Sequence, residues 1–223
     1  MLITFGLYDF FSFVIPGFLY LYVIYDVLQL SGIVRLDIMK LFGIPEFIFL
    51  ALLSYLIGHL MDIISLELWY KRFKRHPSSE DGLKQLKNQS PSISIKFERE
   101  EWAALFYILH QRNYSAIQPI DKYKADALMM RNLSFGFFLL VLVQSASLFM
   151  SRPSTITILI LIVAPIFSIA AFRRSMRYDA WYYRAIFGQA LAYGTSLKDV
   201  ITYEKPKPSA TKKKTQTATI KAR

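Results

Sequence analysis

The chain has 223 residues, 54% of them hydrophobic, a formal net charge of +11 and no cysteine. Apolarity this high, gathered in blocks, is foreign to a soluble domain of such length. The missing cysteine excludes structural disulfides, thiolate metal sites and cysteine nucleophiles.

Four apolar runs cover residues 10–30, 47–66, 133–150 and 155–172. A hydrocarbon core about 30 Å thick needs roughly 20 apolar residues in a helix. Each run meets that length or falls slightly short, so the expected fold is all-α, with four transmembrane helices in two hairpins. No basic n-region and no small-residue cleavage site mark the first run as a signal peptide, and it is expected to stay as a helix.

Charge placement orients the chain. Residues 71–131 hold 12 of the 27 Lys and Arg, residues 173–223 hold another 12, and only Arg35, Lys40 and Arg152 remain for the two short connections. By the positive-inside rule the middle segment and both termini are cytoplasmic, in the inner (plasma) membrane. Topology and attraction to anionic lipid headgroups account for this charge better than nucleic-acid binding does. The expected parts are a first hairpin over 1–70, a cytoplasmic insert over 71–131 and a second hairpin over 132–172. A helical extension over 173–203 and a disordered basic tail over 204–223 complete the chain.

In the first helix Pro16 and Gly17, and in the fourth Pro165, remove or weaken backbone bonding and are read as packing kinks, with a gating hinge as the alternative. The second helix is expected to continue through Trp69 and Tyr70 to Arg75, where His76-Pro77-Ser78-Ser79 ends it. Along it Ala51, Ser54, Tyr55, Gly58, His59, Asp62 and Ser65 share one face. Ser54 and Gly58, small and four apart, allow another helix to approach closely.

In the insert, residues 92–98 (SISIKFE) alternate with period two and predict a short strand. Residues 98–112 place Trp102, Leu105, Phe106 and Leu109 at helical spacing behind an acidic first turn. Residues 113–119 are read as a break, and Asp121 as the N-cap of the helix entering the third crossing. Past the fourth crossing, Tyr178, Trp181, Tyr182, Ala185 and Ile186 form a further apolar helical face that Gly194 should stop. Trp102, Phe106, Trp181 and Tyr182 are packing surface or a docking face for a soluble protein partner. The tail, with seven basic residues, either lies on anionic lipid or is solvated.

A carboxylate inside a bilayer is costly and is generally paired or functional. Asp9 and Asp62 stand near the inner ends of the first two helices, and Arg131, Arg173 and Arg177 near those of the last two. These are expected to pair and clasp the hairpins together. The alternative is an ion or proton path through His59 and Asp62, since histidine titrates near neutrality. Asp26 and Gln144 are the other polar steps, and a pore would need them repeated in an oligomer.

Enzyme signatures are absent: no HExxH, no glycine-rich phosphate loop, and no metal-ligand spacing among His59, His76 and His110. No catalytic role and no cofactor are expected.

Three stretches, YDFFSFVIPGF at 8–18, RNLSFGF at 131–137 and RYDAWYYRAIF at 177–187, resemble features of small bacterial four-helix membrane proteins. Some of these are similar in layout to membrane-acting components of anti-phage defence systems. That resemblance implies a cytoplasmic part that senses a signal and helices that assemble into homo-oligomers to alter membrane permeability. An anchor that recruits a soluble partner, and a small transporter, are the competing expectations.

Overall fold

The computed structural model describes residues 7–33, 44–74, 77–112, 114–150 and 154–203. Arg35, Lys40, Arg75, His76, Arg152 and the tail 204–223 lie outside the described residues, as does the side chain of Asp9. Among the described residues the chain is helical with no strand. Four helices are long and apolar enough to cross a membrane, so the chain reads as a multi-pass membrane protein.

The first, α1, is Leu7–Leu30, and α2 is Ile44–Ile64. The two pack backbone against backbone. A Cβ on Gly17 would lie 1.8 Å from the Ser54 carbonyl oxygen, and one on Gly58 would lie 2.1 Å from that of Phe13. Only glycine permits that approach, which is how small residues join helices where lipid supplies no hydrophobic drive. The spacing of Ser54 and Gly58 thus serves contact with α1.

Beyond Ile64 the helix continues as a π segment, Ser65–Tyr70, and one α-helical turn, Lys71–Phe73. The predicted extension through Tyr70 therefore forms, with a widened turn that no apolar pattern announces. The break at Pro77 is brief: α3, Ser78–Gln89, starts at once and lays Gly82, Leu83 and Leu86 inward.

The strand expected at 92–98 does not form. A turn is followed by extended chain that buries Ile95 and Phe97 while Ile93 stays exposed, so the alternation holds over 94–98. Its ladder has no partner strand: the Lys96 N–H bonds to the Thr195 carbonyl at 2.9 Å. A 3-10 turn, Arg99–Glu101, with Glu98 in a capping box, then opens α4, Trp102–Arg112.

Of the break expected over 113–119, residues 114–119 are helical and residue 113 lies outside the described residues. Helix α5 runs Tyr114–Met150 with Pro119 inside, and Asp121 lies within the helix, not at its cap. Pro119 is the sixth residue of α5, past the four donors left unmatched at a helix start, so its missing N–H removes one backbone bond from the second turn.

Ser154 caps α6, Thr155–Ala190, by accepting from the Thr157 N–H at 3.1 Å. A turn over 191–193 leads to α7, Leu197–Thr202, held by a Ser196/Asp199 capping box. Gly194 follows the helix as expected, but for another reason. It is not in the left-handed region, since Gly32 is the positive-φ glycine among the described residues. Instead, a Cβ on Gly194 would lie 2.3 Å from the Asp199 Cβ, so the glycine lets α7 fold back.

Helices α5 and α6 share the most extensive contact, and α1 packs on α2 and α5. Outside the apolar runs, α3, α4, the extended segment and α7 close on the C-terminal half of α6. Leu105, Leu109, Ile117, Ile186, Phe187 and Val200 are fully buried there.

Candidate functional site at one end of the bundle

Where the apolar runs meet this helical cluster, polar side chains from every long helix converge. Arg131 on α5 donates through Nη2 to Asp62 Oδ1 on α2 at 2.6 Å. Their side chains are 11% and 20% exposed, which makes this a largely desolvated pair rather than a surface one. The Arg131 guanidinium also lies 5.5 Å from the Tyr70 ring centre.

One residue further on, Asn132 takes two hydrogen bonds. Ser65 donates to its side-chain oxygen at 2.5 Å, and Tyr20 on α1 donates to its carbonyl at 2.7 Å. Deeper in the bundle, Ser134 and Ser168 each donate to the other's carbonyl at 2.8 Å, and Trp69 Nε1 donates to the Ser134 hydroxyl at 2.9 Å. Ser12 donates to the Ala125 carbonyl at 3.0 Å and Ser175 to that of Ala127 at 2.9 Å. Such bonds between helices are worth about 0.6 kcal/mol each in a bilayer and act chiefly to fix rotation and register.

Towards the cluster, Asp179 on α6 gathers three donors on one oxygen: Tyr70 at 2.5 Å, Ser78 at 2.8 Å and Lys74 at 3.2 Å. Lys74 also bonds the Ser78 hydroxyl. The π segment is what brings Tyr70 to this carboxylate: Ser65 and Tyr70 are its two buried residues, facing Asn132 and Asp179 respectively.

Of the residues expected to clasp, the structure therefore joins Asp62 to Arg131. Arg173 and Arg177 are exposed, border a shallow depression with Asp81 and Lys84, and form no ion pair among the described residues. His59 is exposed on the side of α2, its ring 4.8 Å from that of Phe13 and 6.3 Å from that of Tyr55. It takes no part in the Asp62–Arg131 pair. At the far end of the bundle Gln144 donates to Asp26 at 2.6 Å.

The aromatic face is packed inward. Tyr182 is buried, Trp102 and Phe106 lie against the same core, and Trp181 meets Tyr123 and Tyr178 edge-on.

Lys74, Lys124 and Asp179 were not singled out by sequence. Asp179 is the lone acid among the basic and aromatic residues of 173–184, a signal strong enough to have been used. Among the described residues no group of His, Asp or Glu is placed to hold a metal ion. No protein-family model, curated protein or solved structure matches the chain.

Proposed function

We propose that the chain is a non-enzymatic, homo-oligomeric protein of the inner (plasma) membrane that alters membrane permeability. In this proposal its four helices form two hairpins with both termini cytoplasmic. The layout resemblance noted above suggests the role of an anti-phage defence effector or sensor. The supporting observation is His59. It lies on the same outward face of α2 as Leu52, Leu56, Leu60 and Ile63, all more than half exposed. Of the apolar window in α2, 11% is buried within one chain, against 39% for α1. An ionisable side chain turned towards lipid is costly, and a second copy covering that face would remove the cost. Within one chain Asp62, Asn132, Ser134 and Ser168 are engaged with one another's helices, so a permeation route would run between copies.

The test is dye and ion leakage from liposomes holding the purified protein, compared with His59→Ala and Asp62→Asn. Leakage lost in His59→Ala supports a route lined by α2. Tight liposomes with wild-type protein refute it. They would favour the second reading, an anchor that recruits a soluble partner, for which the cluster offers Phe73, Ile93, Tyr107 and Ile201 as exposed apolar side chains. Anionic lipid headgroups are expected partners under both.

A further inference from the structure

Between the apolar runs and the helical cluster lies a cleft of about 340 Å³, within the range of small-ligand sites. Four cations border it, Lys71, Lys74, Lys124 and Arg131, with Asp179 as the single bordering carboxylate. Three of the cations have acid partners. Lys74 has Asp179 at 3.2 Å, Arg131 has Asp62 at 2.6 Å, and Lys71 has Glu67 at 2.5 Å. The last pair is more than half exposed on both sides, and such a pair holds its partners weakly. Lys124 has no carboxylate among the described residues; its ammonium lies 6.0 Å from the Tyr182 ring centre. Four positive charges thus meet three negative ones, leaving one over.

A second observation concerns Arg131. Its Nε is buried with no hydrogen-bond partner among the described residues, although one Nη is held by Asp62. A guanidinium matches oxygens of a carboxylate or phosphate; with Nε enclosed by protein and one Nη on Asp62, the second Nη is the donor left for a ligand at the cleft. Lys71 stands five residues beyond the apolar run 47–66 and Arg131 two before the run 133–150, which puts the cleft near the depth of a lipid phosphate. We infer that this cleft binds a phosphodiester monoanion, with Lys124 and Arg131 as its main ligands. The single negative charge balances the surplus, whereas a dianionic phosphate monoester would overshoot it. Two sources share this chemistry, a glycerophospholipid headgroup and a soluble phosphodiester.

The full-length protein in neutral detergent would be titrated calorimetrically with three compounds: short-chain phosphatidylglycerol, the same headgroup without acyl chains, and a short-chain diacylglycerol without phosphate. Wild-type protein should bind the first. Lys124→Gln should bind it about fivefold more weakly, and Lys198→Gln, an exposed lysine outside the cleft, should bind as wild type. Binding of the lipid but not of the chainless headgroup assigns the site to membrane lipid. Equal binding of both assigns it to a soluble phosphodiester. Binding of diacylglycerol as tight as phosphatidylglycerol, no binding of either phosphodiester, or identical affinities for Lys124→Gln and Lys198→Gln would each overturn the inference. None of these outcomes depends on whether copies associate, so the site and the permeability proposal fail separately.

Discussion

If the Asp62–Arg131 pair clasps α2 to α5, removing either charge should expose the other as an uncompensated ion. The magnitude follows from the geometry. At 2.6 Å between nitrogen and oxygen, the charge centres are about 4 Å apart, and the attraction at an effective dielectric of about 20 is roughly 4 kcal/mol. Desolvating both groups offsets part of that. The Tyr70 ring, 5.5 Å from the guanidinium, continues to support Arg131 when Asp62 is neutral, by about 1 kcal/mol. Asp62→Asn and Arg131→Gln should each destabilise the bundle by about 3 kcal/mol. Because the second change removes the charge that the first leaves stranded, the double variant should lose much less than the sum. The expected coupling is about 2 kcal/mol. Unfolding in mixed micelles titrated with dodecyl sulfate reads all four proteins. Coupling below about 0.5 kcal/mol, the range of independent sites, would mean that the two charges do not hold each other, and the clasp would be abandoned.

Four further outcomes are expected. Gly17→Ala places a methyl group 1.8 Å from the Ser54 carbonyl oxygen and should cost about 3 kcal/mol in the same titration, the upper end for overpacking. Gly188→Ala, whose added carbon would come no closer than 3.8 Å to a Leu86 methyl, should instead be stabilising by up to about 1 kcal/mol. The chain has no cysteine, so a lone Leu56→Cys in liposomes should give an oxidant-dependent dimer if copies meet along α2, while Ile169→Cys on α6 should not; cross-linking at neither position, or equally at both, argues against that interface. The Asp199 carboxyl is held below its ordinary pKa, first by the Ser196 hydroxyl and then by backbone N–H groups. A folded-state pKa below the unfolded one means that the box stabilises α7 above the usual aspartate range, near pH 4, and loses that contribution as pH falls through the folded value. The protection factor at Val200, taken against the intrinsic exchange rate at each pH, should therefore fall on acidification in wild type and show no such step in Asp199→Asn.

Apolar length was enough to locate all four long helices, because the requirement is set by bilayer thickness and needs no knowledge of packing. Packing of helix on helix was partly legible: Ser54 and Gly58 announce a close approach through their size alone. Asp62 announced a partner through the cost of a charge in lipid, and Arg131 lay at a matching depth. The choice of Arg131 over Arg173 and Arg177 was not legible, since it depends on rotation about α6. There Ser168 and Ser175 face α5 and both arginines face outward. The strand expected over 92–98 failed for a different reason. Alternation reports that every second side chain is buried, and it is silent on whether another strand stands alongside to complete the ladder. The bonding partner actually used, Thr195, is a hundred residues away in an unpatterned turn.

The π segment explains why the approach of Tyr70 to Asp179 lay beyond sequence reasoning, although Asp179 itself stood out as a lone acid. In an α-helix residues five apart point about 140° away from each other, so an observer following the stripe from Ser54 through Asp62 to Ser65 would place Trp69 on it and turn Tyr70 aside. The widened turn over Ser65–Tyr70 brings both of its end residues inward. Trp69 then reaches Ser134 while Tyr70, one residue on, reaches Asp179. Lys74 follows, near enough to the Tyr70 ring, at 4.7 Å, to share that carboxylate. Residues that a regular helix would spread around its surface are thus gathered at the mouth of one cleft. The distortion is local, but it sets which cations border the cleft. A π turn carries poorer backbone geometry than the α-helix it interrupts, and it persists here because two buried hydrogen-bonded side chains, Ser65 and Tyr70, hold its ends against α5 and α6.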